Sequence, residues 1–438
     1  VSLAISNYAT FSDRFEYAPG QFLPLEYYVY PAQLTTAKAA FATVPNMLRI
    51  FSERFGEYPF LKEKYGHAVF PWGGAMEHQT LTSIGSVSMS AEWVYAHELA
   101  HQWFGDLVTC ENWGDIWLNE GFATYSEALY YRALNGVQGY HNYINASLGS
   151  MRSWGSDPVY RYNTDDVWYI FNRTVYDKGG WVLHTLRHVL GDSVFLKILH
   201  DYPNDPAFKF KSATTAQFRD YCEQVAGIDL DWFFQQWIYE PYFPVYQWGY
   251  ALTPDQGGYS LYLEIRQTQA QVSPEYDHLY KMPIDIRVTY GDRTTQTLVV
   301  WDSLAVQSFR IPLANSPIAV SFDPDRWILR EAQKIPVSAV LVNGETPRAF
   351  ALMQNYPNPI VRNGTAKSNF VYTIPQTTDV ELRIYDSLGR EVEAFVLGKQ
   401  TPGTYLVPFE TKNLAAGIYL YRLRAGKNVA TKKMAVVR

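Results

Sequence analysis

The chain has 438 residues, 47% apolar and 18% charged, which is long enough for about three domains with cores of their own and too apolar for a disordered protein. Its net charge of −6, without a long basic run, gives no ground for nucleic-acid binding. No stretch approaches the roughly 18 continuous apolar residues of a membrane span. Cys110 and Cys222 are the two cysteines, and spacing leaves open whether they pair or stay buried thiols. The sequence opens at Val1-Ser2-Leu3-Ala4 with neither an initiator Met nor a signal-peptide pattern, as expected of a processed protein or a segment of a longer precursor.

Residues 1–30 alternate apolar and polar side chains and break at Pro19-Gly20, so strands joined by a turn are expected. Thirty residues cannot bury a core, and this segment reads as the remnant of an amino-terminal β-domain. From 34 to 56 the spacing becomes helical, with Phe41, Val44, Leu48, Phe51 and Phe55 in one stripe and Gly56 as the stop. A strand from Tyr65 to Trp72 leads into Gly73-Gly74-Ala75-Met76-Glu77-His78. Two glycines ahead of an acid let backbone approach a ligand closely, as a sheet edge does when it pairs with a peptide.

The next helix, expected over 91–106 with Val94, Leu99 and Trp103 on its apolar side, carries His97-Glu98-Leu99-Ala100-His101. Positions i and i+4 share a helical face, so both imidazoles can occupy corners of one tetrahedral metal site. Glu98 lies beside that face, where it can act on a metal-bound water without being a ligand. A second helix, expected over 113–134, carries Glu120 and, seven residues on and on the same face, Glu127. Glu120 suits the third ligand. Glu127 suits an acceptor behind one of the histidines or, equally, a solvated surface acid. Asp106 is nine positions from His97, on the opposite side of the helix, and is excluded as a ligand. A metzincin site would need Gly and His where Phe104 and Leu107 stand, so that class is excluded too. Two histidines on one face can also be ordinary core residues.

Further helices are expected around 178–190, 192–200, 213–226 and 229–239, with Pro241 and Pro244 marking the exit. Period-two patterning then gives a small β-sandwich over 244–335, a polar linker over 336–348 and an Ig-like β-sandwich over 349–438. Neither sandwich contains an acid/base or metal constellation.

The segments Gly73-Gly74-Ala75-Met76-Glu77, His97 through Gly105, Trp117-Leu118-Asn119-Glu120-Gly121-Phe122-Ala123 and Tyr176-Asp177-Lys178-Gly179 together resemble the gluzincin aminopeptidases related to aminopeptidase N and leukotriene hydrolase, over about residues 1–335. The resemblance implies a multidomain α+β fold, with a thermolysin-like, mainly helical catalytic domain over 31–243 followed by the two β-sandwiches. It implies one Zn²⁺ per chain on His97, His101 and Glu120, with Glu98 activating the water. Tyr176 would stabilise the oxyanion, and Glu77 would hold the substrate's free α-amine beside Gly73, Gly74, Ala75 and Met76. His78 departs from the family, which has Asn there, and the large carboxy-terminal helical domain of many relatives has no counterpart in this sequence.

The Tyr356-Pro357-Asn358-Pro359 opening, the Leu388-Gly389-Arg390 turn and the Gly417-Ile418-Tyr419-Leu420 strand resemble the sorting domain of proteins exported by the type IX secretion system of Bacteroidetes-type bacteria. The joint expectation is a secreted or surface-attached zinc aminopeptidase acting on peptides with a free N-terminus. A zinc endopeptidase with an open cleft and a catalytically silent surface-binding protein are the alternatives.

Overall fold

The computed structural model describes residues 3–85, 87–147, 156–255, 257–272, 278–335, 339–343, 346–361, 367–411 and 414–437. The chain divides into two compact units, Val1–Phe243 with Asp325–Leu329, and Pro244–Pro324 with Arg330–Arg438.

The first unit opens with five strands, β1 (Ala9–Ala18), β2 (Gln21–Val29), β3 (Tyr65–Val69), β4 (Ala75–Met76) and β5 (Thr82–Ile84), in the order β1-β2-β3-β5-β4. β1 and β2 form an antiparallel hairpin, whereas β2, β3 and β5 run parallel. Residues 1–30, expected as the remnant of a separate domain, thus supply two strands to the sheet of residues 65–84. Leu23, Leu25, Tyr27 and Val29 alternate into the core, which fixes the register. A Cβ at Gly66 would lie 1.8 Å from the Glu26 carbonyl oxygen, so only glycine lets β3 approach β2 this closely. The short β4 pairs antiparallel with β5 and forms the sheet edge.

The helical stripe of 34–56 is interrupted by a tight turn at Phe41–Thr43, giving α1 (Leu34–Ala40) and α2 (Val44–Phe55). α2 buries Leu48, Phe51 and Phe55 and stops at Gly56, where φ is +92°. α3 (Glu92–Ala100) is shorter than the expected 91–106. The chain leaves the helix at His101 because Trp103, Phe104 and Leu107 are all buried, and Val108–Cys110 turns to pair with Lys211–Ala213. The second helix also differs from expectation. Trp113–Asp115 is a separate turn capped by Asn112, and α4 runs from Trp117 to Ser147 with a break at Gly136. Next come α5 (Val167–Ile170) and α6 (Gly179–Leu190), the latter preceded by a π-helical turn over Thr174–Lys178, and then helices over Asp192–Asp201, Thr215–Ala226 and Asp231–Phe234. Cys110 and Cys222 are buried, unpaired thiols.

In the second unit, Val245–Asp255, Gly258–Gln267, Val306–Leu313 and Glu331–Lys334 form one sheet, and Met282–Thr289, Thr295–Asp302 and Ala319–Phe322 form another. Farther on, nine strands build two more sheets around a core that includes Phe370, Leu382 and Tyr421. The expected linker is partly strand, because Val340–Asn343 pairs with Gly403–Glu410. Residues 336–338, 344 and 345 of that linker lie outside the described residues. Among the described residues no helix is long and apolar enough to cross a membrane.

Candidate metal centre

α3 presents His97 one turn before its end and His101 at its end, both buried. Their Nε2 atoms are 3.1 Å apart, and Glu120 Oε2, from the first turn of α4, lies 3.3 Å from one and 3.2 Å from the other. A tetrahedral ion with bonds of about 2.0–2.1 Å sets its ligand atoms about 3.3 Å apart, so the triangle has the size that Zn²⁺ requires. Each imidazole is oriented from behind. His97 Nδ1 is 2.7 Å from Glu127 Oε1, and His101 Nδ1 is 2.9 Å from the Phe104 carbonyl oxygen. When each Nδ1–H donates, each Nε2 lone pair faces the centre. Asp106 is not part of the donor set and instead accepts from Gln102 Nε2 at 2.7 Å.

The electrostatics also suit a dication. Glu98, Glu120 and Glu127 are buried beside the two imidazoles, and Glu98 Oε2 has no hydrogen-bond partner. Burial pushes the Glu98 carboxyl up to about 7, against the pull of both histidines. For Glu120 the histidines outweigh burial and hold the carboxyl down at about 2. Burial disfavours charge on His97, yet Glu120 and Glu127 raise its pKa well above the usual range. Acidic oxygens thus compete for whatever positive charge the centre holds, which is the environment a metal ion satisfies.

Two further segments reach the cleft of the centre. Tyr176 lies in the π-helical turn, with its ring stacked 6.0 Å from that of His97. Burial and the carboxylates of Glu120, Glu77 and Glu98 push its phenol well above the ordinary range, so it remains a proton donor. The turn is brought in by a glycine–glycine contact. A Cβ on Gly179 would lie 2.9 Å from Gly121 Cα, so α6 and α4 meet at backbone distance next to Glu120. Glu77, just beyond the edge strand β4, lines the same cleft of about 1580 Å³ together with Gly74, Ala75 and Met76. Gly73 does not line it; it is exposed in the open turn ahead of β4. His78 bonds to Ser83 Oγ at 3.0 Å and so joins the chain after β4 to β5.

Sequence reasoning assigned no role to the side chains that hold these pieces in register. Gln102, fully buried, accepts from Thr80 N and Tyr58 Oη at 3.0 Å, and its Nε2 lies 3.4 Å from the Glu77 carbonyl. It therefore links the loop of Glu77 directly to the residue after His101. Asn119, just before Glu120, accepts from Cys110 N at 3.0 Å. Buried Asp115 accepts from Thr215 N and Oγ1 at 2.9 and 2.7 Å. A buried polar residue immediately beside a ligand was the available signal, because such a group must find partners.

Two imidazoles and one carboxylate at tetrahedral spacing, with the Glu98 carboxylate beside them, could hold a metal ion in the manner of a gluzincin site. Residues 40–237 match the peptidase family M1 domain, and residues 354–437 match the secretion system C-terminal sorting domain. The aminopeptidase N of Streptomyces lividans is 33% identical over 245 residues, covering 50% of this chain and 28% of that protein. The mitochondrial aminopeptidase 2 of Saccharomyces cerevisiae is 29% identical over 342 residues, covering 70% of this chain and 34% of that protein. The chain thus spans about a third or less of these curated relatives. Aminopeptidase A of Legionella pneumophila shares the fold, with a TM-score of 0.64 at 17% identity over 75% of this chain and 38% of that one.

Proposed function

We propose that the chain is a zinc-dependent aminopeptidase that hydrolyses the first peptide bond of peptides with a free N-terminus. The observation that carries this reading is a tetrahedral donor triangle in the same cleft as Glu77, which follows an edge strand open to pairing. Bound to His97, His101 and Glu120, Zn²⁺ would lower the pKa of a water toward 7 and polarise the scissile carbonyl. Glu98, unpartnered at Oε2, takes the proton of the attacking water and passes it to the leaving amine. Tyr176 donates its hydroxyl proton to the oxygen on which negative charge develops. Glu127 holds His97 in the tautomer that leaves Nε2 free. Glu77 pairs with the α-ammonium, and the backbone of Gly74, Ala75 and Met76 aligns the peptide as an added strand. The distance from Glu77 to the metal then selects the first bond for cleavage.

The sorting domain supports export through the type IX machinery of a Bacteroidetes-type bacterium, with release or attachment at the outer surface. The reading is tested by loading the chain with zinc and following an N-terminal aminoacyl reporter. One zinc per chain should bind, and Glu98→Gln should retain zinc while losing about 10²–10⁴-fold in kcat. Full hydrolysis by E98Q, or none by the zinc-loaded wild type, would overturn it.

A further inference from the structure

α4 does not end after carrying Glu120 and Glu127 past the metal centre. At Gly136 a φ of +67° and a ψ of −163° break the helix. The residues beyond fold back along its first half. In a straight helix Tyr143 would stand about 24 Å from Glu127, sixteen residues earlier. Instead the Tyr143 hydroxyl donates to Glu127 Oε2. Two residues, Tyr143 and Tyr140, hold the returning segment in place. The Tyr143 ring stacks on Tyr131 with centroids 4.8 Å apart and planes 20° from parallel. Tyr140 Oη lies 3.0 Å from Tyr125 Oη and 2.6 Å from His184 Nδ1.

We infer that Tyr143 is a positioning residue of the metal centre, locking the Glu127 carboxylate that orients His97. Glu127 offers two oxygens. Oε1 is 2.7 Å from His97 Nδ1, and a carboxylate held at one oxygen alone can still swing about its terminal bond. A second hydrogen bond at Oε2 fixes the carboxylate plane, and with it the imidazole whose Nε2 faces the other donors. The order of contact is Tyr143, Glu127, His97, metal. Partners behind a metal ligand fix its tautomer and ring orientation, and their loss typically costs 10–100-fold in metal affinity. This inference rests on the zinc reading above, and it adds a residue supplied by the fold-back at Gly136.

The test uses the full chain and zinc alone as the probe, with affinity measured by chelator competition. Tyr143→Phe keeps the ring and its stack on Tyr131 and removes only the hydroxyl. Its zinc affinity should fall about tenfold, the lower end of that range, while the metal-free chain melts like the wild type. In a Glu127→Ala background the same substitution should change affinity no further. Unchanged affinity in Y143F, an equal loss in both backgrounds, or an equal drop in melting with and without zinc would each overturn the inference. The last outcome would mark Tyr143 as a packing residue. A wild type that binds zinc and cleaves the reporter beside an unaffected Y143F overturns this inference alone. A wild type that binds no zinc overturns the function as well.

Discussion

At Gln102 one amide ties the loop of Glu77 to the turn that follows His101. Its oxygen takes Thr80 N and Tyr58 Oη, and its nitrogen serves Asp106 and the Glu77 carbonyl, so the Glu77 loop cannot move independently of His101. Gly105 has a related task. A Cβ there would press on the His101 carbonyl and Nδ1 at 3.1 and 3.2 Å, at a φ of +152°, and would disturb the turn that brings Phe104 O to the imidazole. Gln102→Leu removes the amide while keeping similar bulk. We expect it to raise KM for free-amine peptides by about tenfold or more, because Thr80 N and the Glu77 loop lose their buried partner. Zinc content should be unchanged. Steady-state kinetics with metal analysis checks both, and an unaltered KM would show that Glu77 is placed by other means.

At the scale of elements, the contact between α4 and α6 matters most, since it delivers Tyr176 to the metal centre. Gly179→Ala puts a methyl group 2.9 Å from Gly121 Cα and must separate the two backbones. The expected outcome is a fall in kcat of about 10²-fold, as for a misplaced oxyanion donor, with zinc affinity held within a few-fold. Equal kcat in G179A would contradict the placement of Tyr176. Lys178, buried in the same turn, gives a pH signature. Burial, reinforced by Arg161, pushes its ammonium down to about 7, although it donates to Asp157 O at 3.2 Å. Between about pH 7 and its usual value near 10.5 the unfolded chain binds more protons than the folded one, so stability from this group rises with pH across that window. Unfolding of wild type and Lys178→Met should therefore diverge in favour of the wild type as pH rises from about 7 to 10. A difference independent of pH would contradict the shift.

The same elements show what the sequence could reveal. That His97 and His101 share one face, and Glu120 and Glu127 another, follows from period and spacing alone, because a helix fixes which residues share a face; whether Glu127 stood behind a histidine or in solvent did not. The ends of α3 and α4 do not. Trp103, Phe104 and Leu107 continue a helical pattern, but they are buried in different directions after the chain turns at His101, and only tertiary packing decides that. The fold-back at Gly136 is equally hidden, since a lone glycine in a helical run is usually tolerated without a break.

Across the whole molecule, the donor triangle and the residues lining its cleft lie in the first unit, whereas the segment that matches the sorting domain lies in the second. The β-patterning of residues 244–438 was legible from alternation, while the strand within the expected linker was not, being four residues long. Likewise, 1–30 read as strands, but the pairing of β2 with β3 is parallel, which leaves no turn signal in sequence. The central claim is that Glu77 and the metal centre together measure one residue from a free N-terminus. It is tested most directly by kcat/KM of the zinc-loaded chain on one peptide in free and N-acetylated forms. We expect the free peptide to be cleaved at its first bond at least about 10²-fold faster, because acetylation removes the charge that Glu77 pairs with. Equal cleavage of both forms would contradict the account and identify an endopeptidase instead.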